Sequence, residues 1–196
     1  TITSGNNADQ TFTGTIRGDS GDDNNLTIVL QGNGEANFDG IVGAGGADND
    51  IGAIDITGKL DLNADIGTTA VRGAASLAVS GTSTLDADVN TSGSQTYSGG
   101  VTLGTGARTL KGSTVTFGST LAGGGQNLTI TGDAVFGGNA TGLGALDVSG
   151  TLAANATNIT ATNKSITIQG TTTGVFGNIS FQNVSGLNTT LTFKMK

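Results

Sequence analysis

A short unit recurs along this chain: an apolar residue, a polar or small one, a second apolar one, and a glycine two positions on. It stands as Ile54-Asp55-Ile56-Thr57-Gly58, Leu77-Ala78-Val79-Ser80-Gly81, Leu128-Thr129-Ile130-Thr131-Gly132, Leu146-Asp147-Val148-Ser149-Gly150 and Ile166-Thr167-Ile168-Gln169-Gly170, with Leu26-Thr27-Ile28 as a variant. Alternation with a period of two predicts a strand that buries Leu, Ile or Val on one side and shows Thr, Asp or Ala on the other. The closing glycine lets the chain turn sharply, because it reaches positive φ without a Cβ clash. Glycine fills 35 of the 196 positions, where about 7 % is ordinary. Proline is absent, so every backbone N–H remains available to a strand ladder. The best helix candidate, residues 61–75, carries Thr68, Thr69, Gly67 and Gly73 and no sustained 3.6-residue stripe, so no helix is predicted.

The units also keep an order. Phe12, Leu26–Ile28, Phe38 ahead of Gly40, Ile54–Ile56 and Leu77–Val79 form one series; Phe117, Leu128–Ile130, Phe136 ahead of Gly137, Leu146–Val148 and Ile166–Ile168 form a tighter second one. Gln10-Thr11-Phe12-Thr13-Gly14 is echoed by Gln95-Thr96-Tyr97-Ser98-Gly99. This reads as one domain over residues 1–196, internally duplicated at about 10–81 and 95–170, with a terminal strand region at 171–196. Units this small cannot each bury a face alone, so they imply stacked coils. The predicted fold is all-β, a parallel β-helix (β-solenoid) of roughly ten coils and 45–50 Å at ~4.8 Å per step. An antiparallel β-sandwich is the alternative for evenly spaced short strands. Its hairpin marks are scarce, with Asn33-Gly34 and Asp39-Gly40 the nearest cases.

The stretch Gln95-Thr96-Tyr97-Ser98-Gly99-Gly100-Val101-Thr102-Leu103, with Thr109-Leu110-Lys111-Gly112, Val115-Thr116-Phe117-Gly118, Leu121-Ala122-Gly123 and Asn127-Leu128-Thr129-Ile130-Thr131-Gly132, resembles the repeats of large bacterial surface exoproteins of the filamentous-haemagglutinin and autotransporter-adhesin kind. The match covers residues 95 to about 150 most closely. The resemblance implies a right-handed β-helix, secretion, and a role in adhesion, biofilm or surface coating without catalysis. The chain is far shorter than such exoproteins and lacks their secretion-related N-terminal region. Beginning at Thr1 with neither Met nor a leader, it is expected to be a mature or excised form.

Composition excludes whole classes of chemistry. Without His there is no imidazole base or ligand, and without Cys no disulfide, thiolate or zinc–thiolate site. A net charge of −7 and only 8 basic residues argue against nucleic acid. No apolar run approaches the 18 residues of a membrane helix. The Asp19-Ser20-Gly21-Asp22-Asp23-Asn24-Asn25 loop offers oxygen ligands for calcium through Asp19, Asp22 and Asp23, although it lacks the spacing of a helix–loop–helix calcium site. Asp48-Asn49-Asp50 is a weaker version. Asp61, Asp65, Asp86 and Asp88, with Arg72 between them, suggest an acidic face, and a spacing of two would place Asp86 and Asp88 on one side of a strand. Such a pair is the minimum a carbohydrate-active enzyme needs. Solubility is the simpler role, and no enzyme is expected.

Ten Asn-x-Ser/Thr triplets, from Asn25 to Asn188, satisfy the glycosylation pattern, but a chain this rich in Asn, Ser and Thr writes such triplets by chance. The ends carry apolar residues suited to assembly, Ile2 and Phe12 at one and Leu191 and Phe193 at the other, followed by Lys194 and Lys196. Open solenoid ends are sheet edges that pair with something unless blunted. The expected function is therefore a non-enzymatic, secreted structural or adhesive protein of the cell surface or biofilm matrix. It would partner cell-surface glycans or, as a self-assembling filament subunit, itself.

Overall fold

The computed structural model describes residues 1–18, 24–43, 51–68, 73–162, 166–182 and 191–193. Within them the regular structure consists of strands alone, from Ile2–Asn6 to Leu191–Phe193. Every strand pairing is parallel, and partners lie one coil apart in sequence. This is a β-solenoid, and the antiparallel sandwich is excluded. The reason is visible at Asn33-Gly34: the turn there joins Leu26–Gln31 to Glu35–Phe38, yet these two strands do not pair with each other. Each corner carries the chain onto the next face, so hydrogen bonds form only after a full circuit.

The solenoid has three faces. On the first, Ile2, Ile28, Ile56, Val79, Tyr97, Phe117, Phe136, Ala154 and Gly174 stand in successive register. The second runs Gln10, Ala36, Leu60, Ser83, Val101, Leu121, Ala140, Ile159 and Ile179. The third runs Ile16, Val42, Ile66, Val89, Leu110, Ile130, Val148, Ile168 and Phe193. Among the described residues nine positions are paired in register on each face, fewer than the roughly ten coils predicted. The shortfall comes from coil length: inter-coil hydrogen bonds span 26 and 28 residues near the start but 18 to 20 later on.

Inward residues make one continuous apolar column, with Ile28, Phe38, Ile54, Leu60, Leu110, Phe117, Ile130 and Leu152 among its fully buried members. Volume is balanced within each rung. Phe136 is flanked two residues earlier by Ala134, while the next rung reverses the order with Leu152 and Ala154, as close packing at a nearly constant cross-section demands. Tyr97, Phe117 and Phe136 stack one over another, with centroids 5.7 and 5.1 Å apart and rings within 14° and 13° of parallel. Glycine occupies the corners for want of room. At Gly150 a Cβ would stand 2.5 Å from the Gly132 carbonyl oxygen, and Gly132 itself has a φ of 131°.

One rung departs from this apolar pattern. Gln95 and Tyr97 are fully buried, and their polar atoms are paired. Tyr97 Oη donates to Gln95 Oε1 (3.2 Å), and Gln95 Nε2 donates to the Lys111 carbonyl (2.8 Å). Burial raises the Tyr97 phenol far above its ordinary value, so it stays a neutral donor.

Candidate functional site

Carboxylates and amides at the corners hold neighbouring coils together. Asp9 Oδ1 accepts from Glu35 N (2.9 Å), Asp65 Oδ1 from Asp88 N (2.9 Å), Asp86 Oδ1 from Thr105 N (2.8 Å), Asp88 Oδ1 from Thr109 N (2.8 Å) and Asp133 Oδ1 from Thr151 N (2.7 Å). Asparagines act alike: Asn7 Oδ1 accepts from Asn33 N, Asn25 Oδ1 from Ala53 N and Asn139 Oδ1 from Asn158 N. A corner leaves backbone N–H groups that no strand partner reaches, and a short acceptor side chain from the adjacent coil satisfies them.

The structure corrects the strand placement inferred for Asp86 and Asp88. They flank a bend at Ala87 between Ser83–Leu85 and Val89–Asn90, rather than sharing one strand face. Asp86 reaches the Thr105 turn and Asp88 the third face. Asp61 lies on the second face, aligned with Asn37 and Thr84, and its Oδ2 accepts from Asn63 Nδ2 (3.2 Å). The acidic set is thus divided between faces, and only Asp65 and Asp88 come together. Arg108, which the sequence pattern did not single out, braces the corner beside them. Its Nε donates to the Leu85 carbonyl (3.2 Å) and its Nη1 stands 4.0 Å from Asp88 Oδ1.

The sequons have a structural explanation as well. In Asn25-Leu26-Thr27 and Asn139-Ala140-Thr141 the Asn is a corner acceptor, the middle residue points inward and the Thr outward. The grammar of the coil writes Asn-x-Thr by itself.

Asp65 and Asp88 line a groove of about 470 Å³ on the third face, together with Asn90, Thr109, Lys111 and Thr131. It lies where the third face changes width. Earlier coils contribute single bridging residues, Val42 and Ile66, and then the two-residue strand Val89–Asn90. The following coil enters as the long strand Arg108–Phe117. Asn90 Nδ2 bonds the Thr68 carbonyl across the groove floor, while Lys111 and Thr131 are exposed at its rim. On the second face, the Glu35 carboxyl is raised from its ordinary value by partial burial first and then by Asp61.

Asp19, Asp22 and Asp23, the Asp48–Asp50 segment, Arg72, Lys194 and Lys196 lie outside the described residues. Among the described residues no three acidic side chains converge in a way that would hold a metal ion, and no helix is long and apolar enough to cross a membrane. Ile2, Phe12 and Ile16 of the first coil are only partly covered, whereas Ile28, Phe38 and Val42 in the next are fully buried. Leu191 and Phe193 belong to the strand that pairs with Ile166–Ile168, the last rung of the third face among the described residues. Comparisons with protein-family models, with curated proteins and with solved structures each found no match.

Proposed function

We propose that this chain is a non-enzymatic extracellular structural and adhesive solenoid, acting at a cell surface or in a biofilm matrix. The observation that carries the proposal is where its polar side chains are used. The carboxylates and amides at the corners are committed to backbone N–H groups of the neighbouring coil, and the strands turn ladders such as Thr96–Thr116 and Thr84–Thr102 outward. A long rod with regular polar sides and stapled corners suits display and contact over an area. Turnover would need reactive groups freed from structural duty and gathered together.

The test is adhesion of the purified chain to bacterial and host-cell surfaces, compared with release of reducing ends or unsaturated products from glycans. Saturable adhesion with no product is the expected result, and product formation would overturn the proposal. The partly covered Ile2, Phe12 and Ile16 favour a second reading, a filament subunit joined through its terminal strands. Negative-stain microscopy separates the two, with single rods expected for the first and ordered filaments for the second.

A further inference from the structure

We infer that the groove on the third face binds a neutral, hydroxyl-rich saccharide chain lying along the solenoid axis. The inference rests on the adhesive reading and names its ligand class. The groove, about 470 Å³, falls within the size range of small-ligand sites. Its side chains stand in two columns, one coil apart at each step. Asp65, Asp88 and Thr109 form one column, through the register of Ile66 with Val89 and of Val89 with Leu110. Asn90, Lys111 and Thr131 form the other.

A coil step of ~4.8 Å is close to the length of one pyranose ring, so successive sugars along the axis would meet equivalent positions. The lining mixes carboxylates (Asp65 and Asp88), each with its Oδ1 engaged by a backbone N–H and its second oxygen left as the acceptor, with a cationic donor (Lys111) and hydroxyls that are both (Thr109 and Thr131). That mixture matches sugar hydroxyls, each of which donates and accepts. Asp88 already faces the Arg108 guanidinium, and it is the net charge of −7 on the whole chain that disfavours a sulfated or uronate polymer.

The test is titration of the ¹⁵N-labelled chain with neutral gluco-, manno- and xylo-tetrasaccharides, and with a heparin tetrasaccharide as the acidic comparison. Amide shifts confined to Asn90, Thr109, Lys111 and Thr131 are expected with at least one neutral probe. The exposed Thr131, changed to Trp, should fill the groove and abolish those shifts with an unchanged circular dichroism spectrum. Lys111→Ala should weaken binding about tenfold, as loss of one charged hydrogen bond does. Absence of shifts with every neutral probe, shifts elsewhere that Thr131→Trp leaves intact, or preference for heparin would each overturn the inference. Surface adhesion unaffected by Thr131→Trp would sink the groove and leave the adhesive reading standing. Saccharide binding in the groove by a chain that adheres to no surface would do the reverse.

Discussion

At the scale of single residues, two buried polar groups make opposite predictions. Ser83 is 3 % exposed, and its Oγ has no hydrogen-bond partner. It stands in a column between Leu60 and Val101. An unpartnered buried hydroxyl costs more than it returns, so Ser83→Ala should raise stability by about 1 kcal/mol. For a chain this long that shifts the thermal midpoint upward by about 2–4 °C. Tyr97→Phe should act the other way. Phenylalanine fits the stack, as Phe117 and Phe136 show, but the change strips Gln95 Oε1 of its buried donor, at a cost of about 1–2 kcal/mol. Calorimetry on both variants checks the pair. Gln95 was legible as part of an echo of Gln10 but not as a core residue. Only the circuit of the chain brings the Lys111 carbonyl within reach of its amide.

At the scale of elements, the corners decide stability. Gly150→Ala places a methyl group against the Gly132 carbonyl, and two stacked corners must move apart to admit it. We expect a loss of about 2 kcal/mol or more, in the range of overpacked sites, visible as a lower denaturant midpoint. Asp88→Ala removes the acceptor for Thr109 N and should cost about 1 kcal/mol, whereas Asp88→Asn, which keeps an oxygen acceptor, should cost little. Glu35 supplies a pH-dependent case. Its folded pKa is raised, so its ionised form opposes folding at neutral pH, and that penalty is relieved as pH falls into the carboxylate range. Glu35→Gln should therefore raise the midpoint slightly at pH 7 and not at pH 4, as a thermal melt at each pH will show.

At the scale of the whole molecule, each coil touches only its neighbours, so stability is nearly a sum of coil and interface terms. The coils between Ala74 and Leu152 are short and continuous, while the first coil has apolar residues that are only partly covered. Hydrogen exchange should follow that profile, with the amides of Val79, Tyr97, Phe117 and Phe136 slowest and those of Ile2–Asn6 among the fastest. Uniform protection along the rod would show that the coils unfold as one unit.

An all-β fold, strands that bury alternate residues, glycine at the corners and the stacking of units are all legible in the order of the residues. Each of these is local: a period of two, a missing Cβ, a unit too small to fold alone. Which face each unit occupies is settled only when the coils close on one another. Phe12 and Phe38 belong to the second face, but their counterparts Phe117 and Phe136 belong to the first. Leu26–Ile28 lies on the first face, and its counterpart Leu128–Ile130 lies on the third. Face is set by the accumulated length of every corner and loop, which no local pattern records. The same holds for the aspartates. In the sequence they are bare carboxylates, available for calcium or catalysis, and the backbone N–H that engages Asp88 lies 21 residues away. Only closure of the coil brings donor and acceptor together.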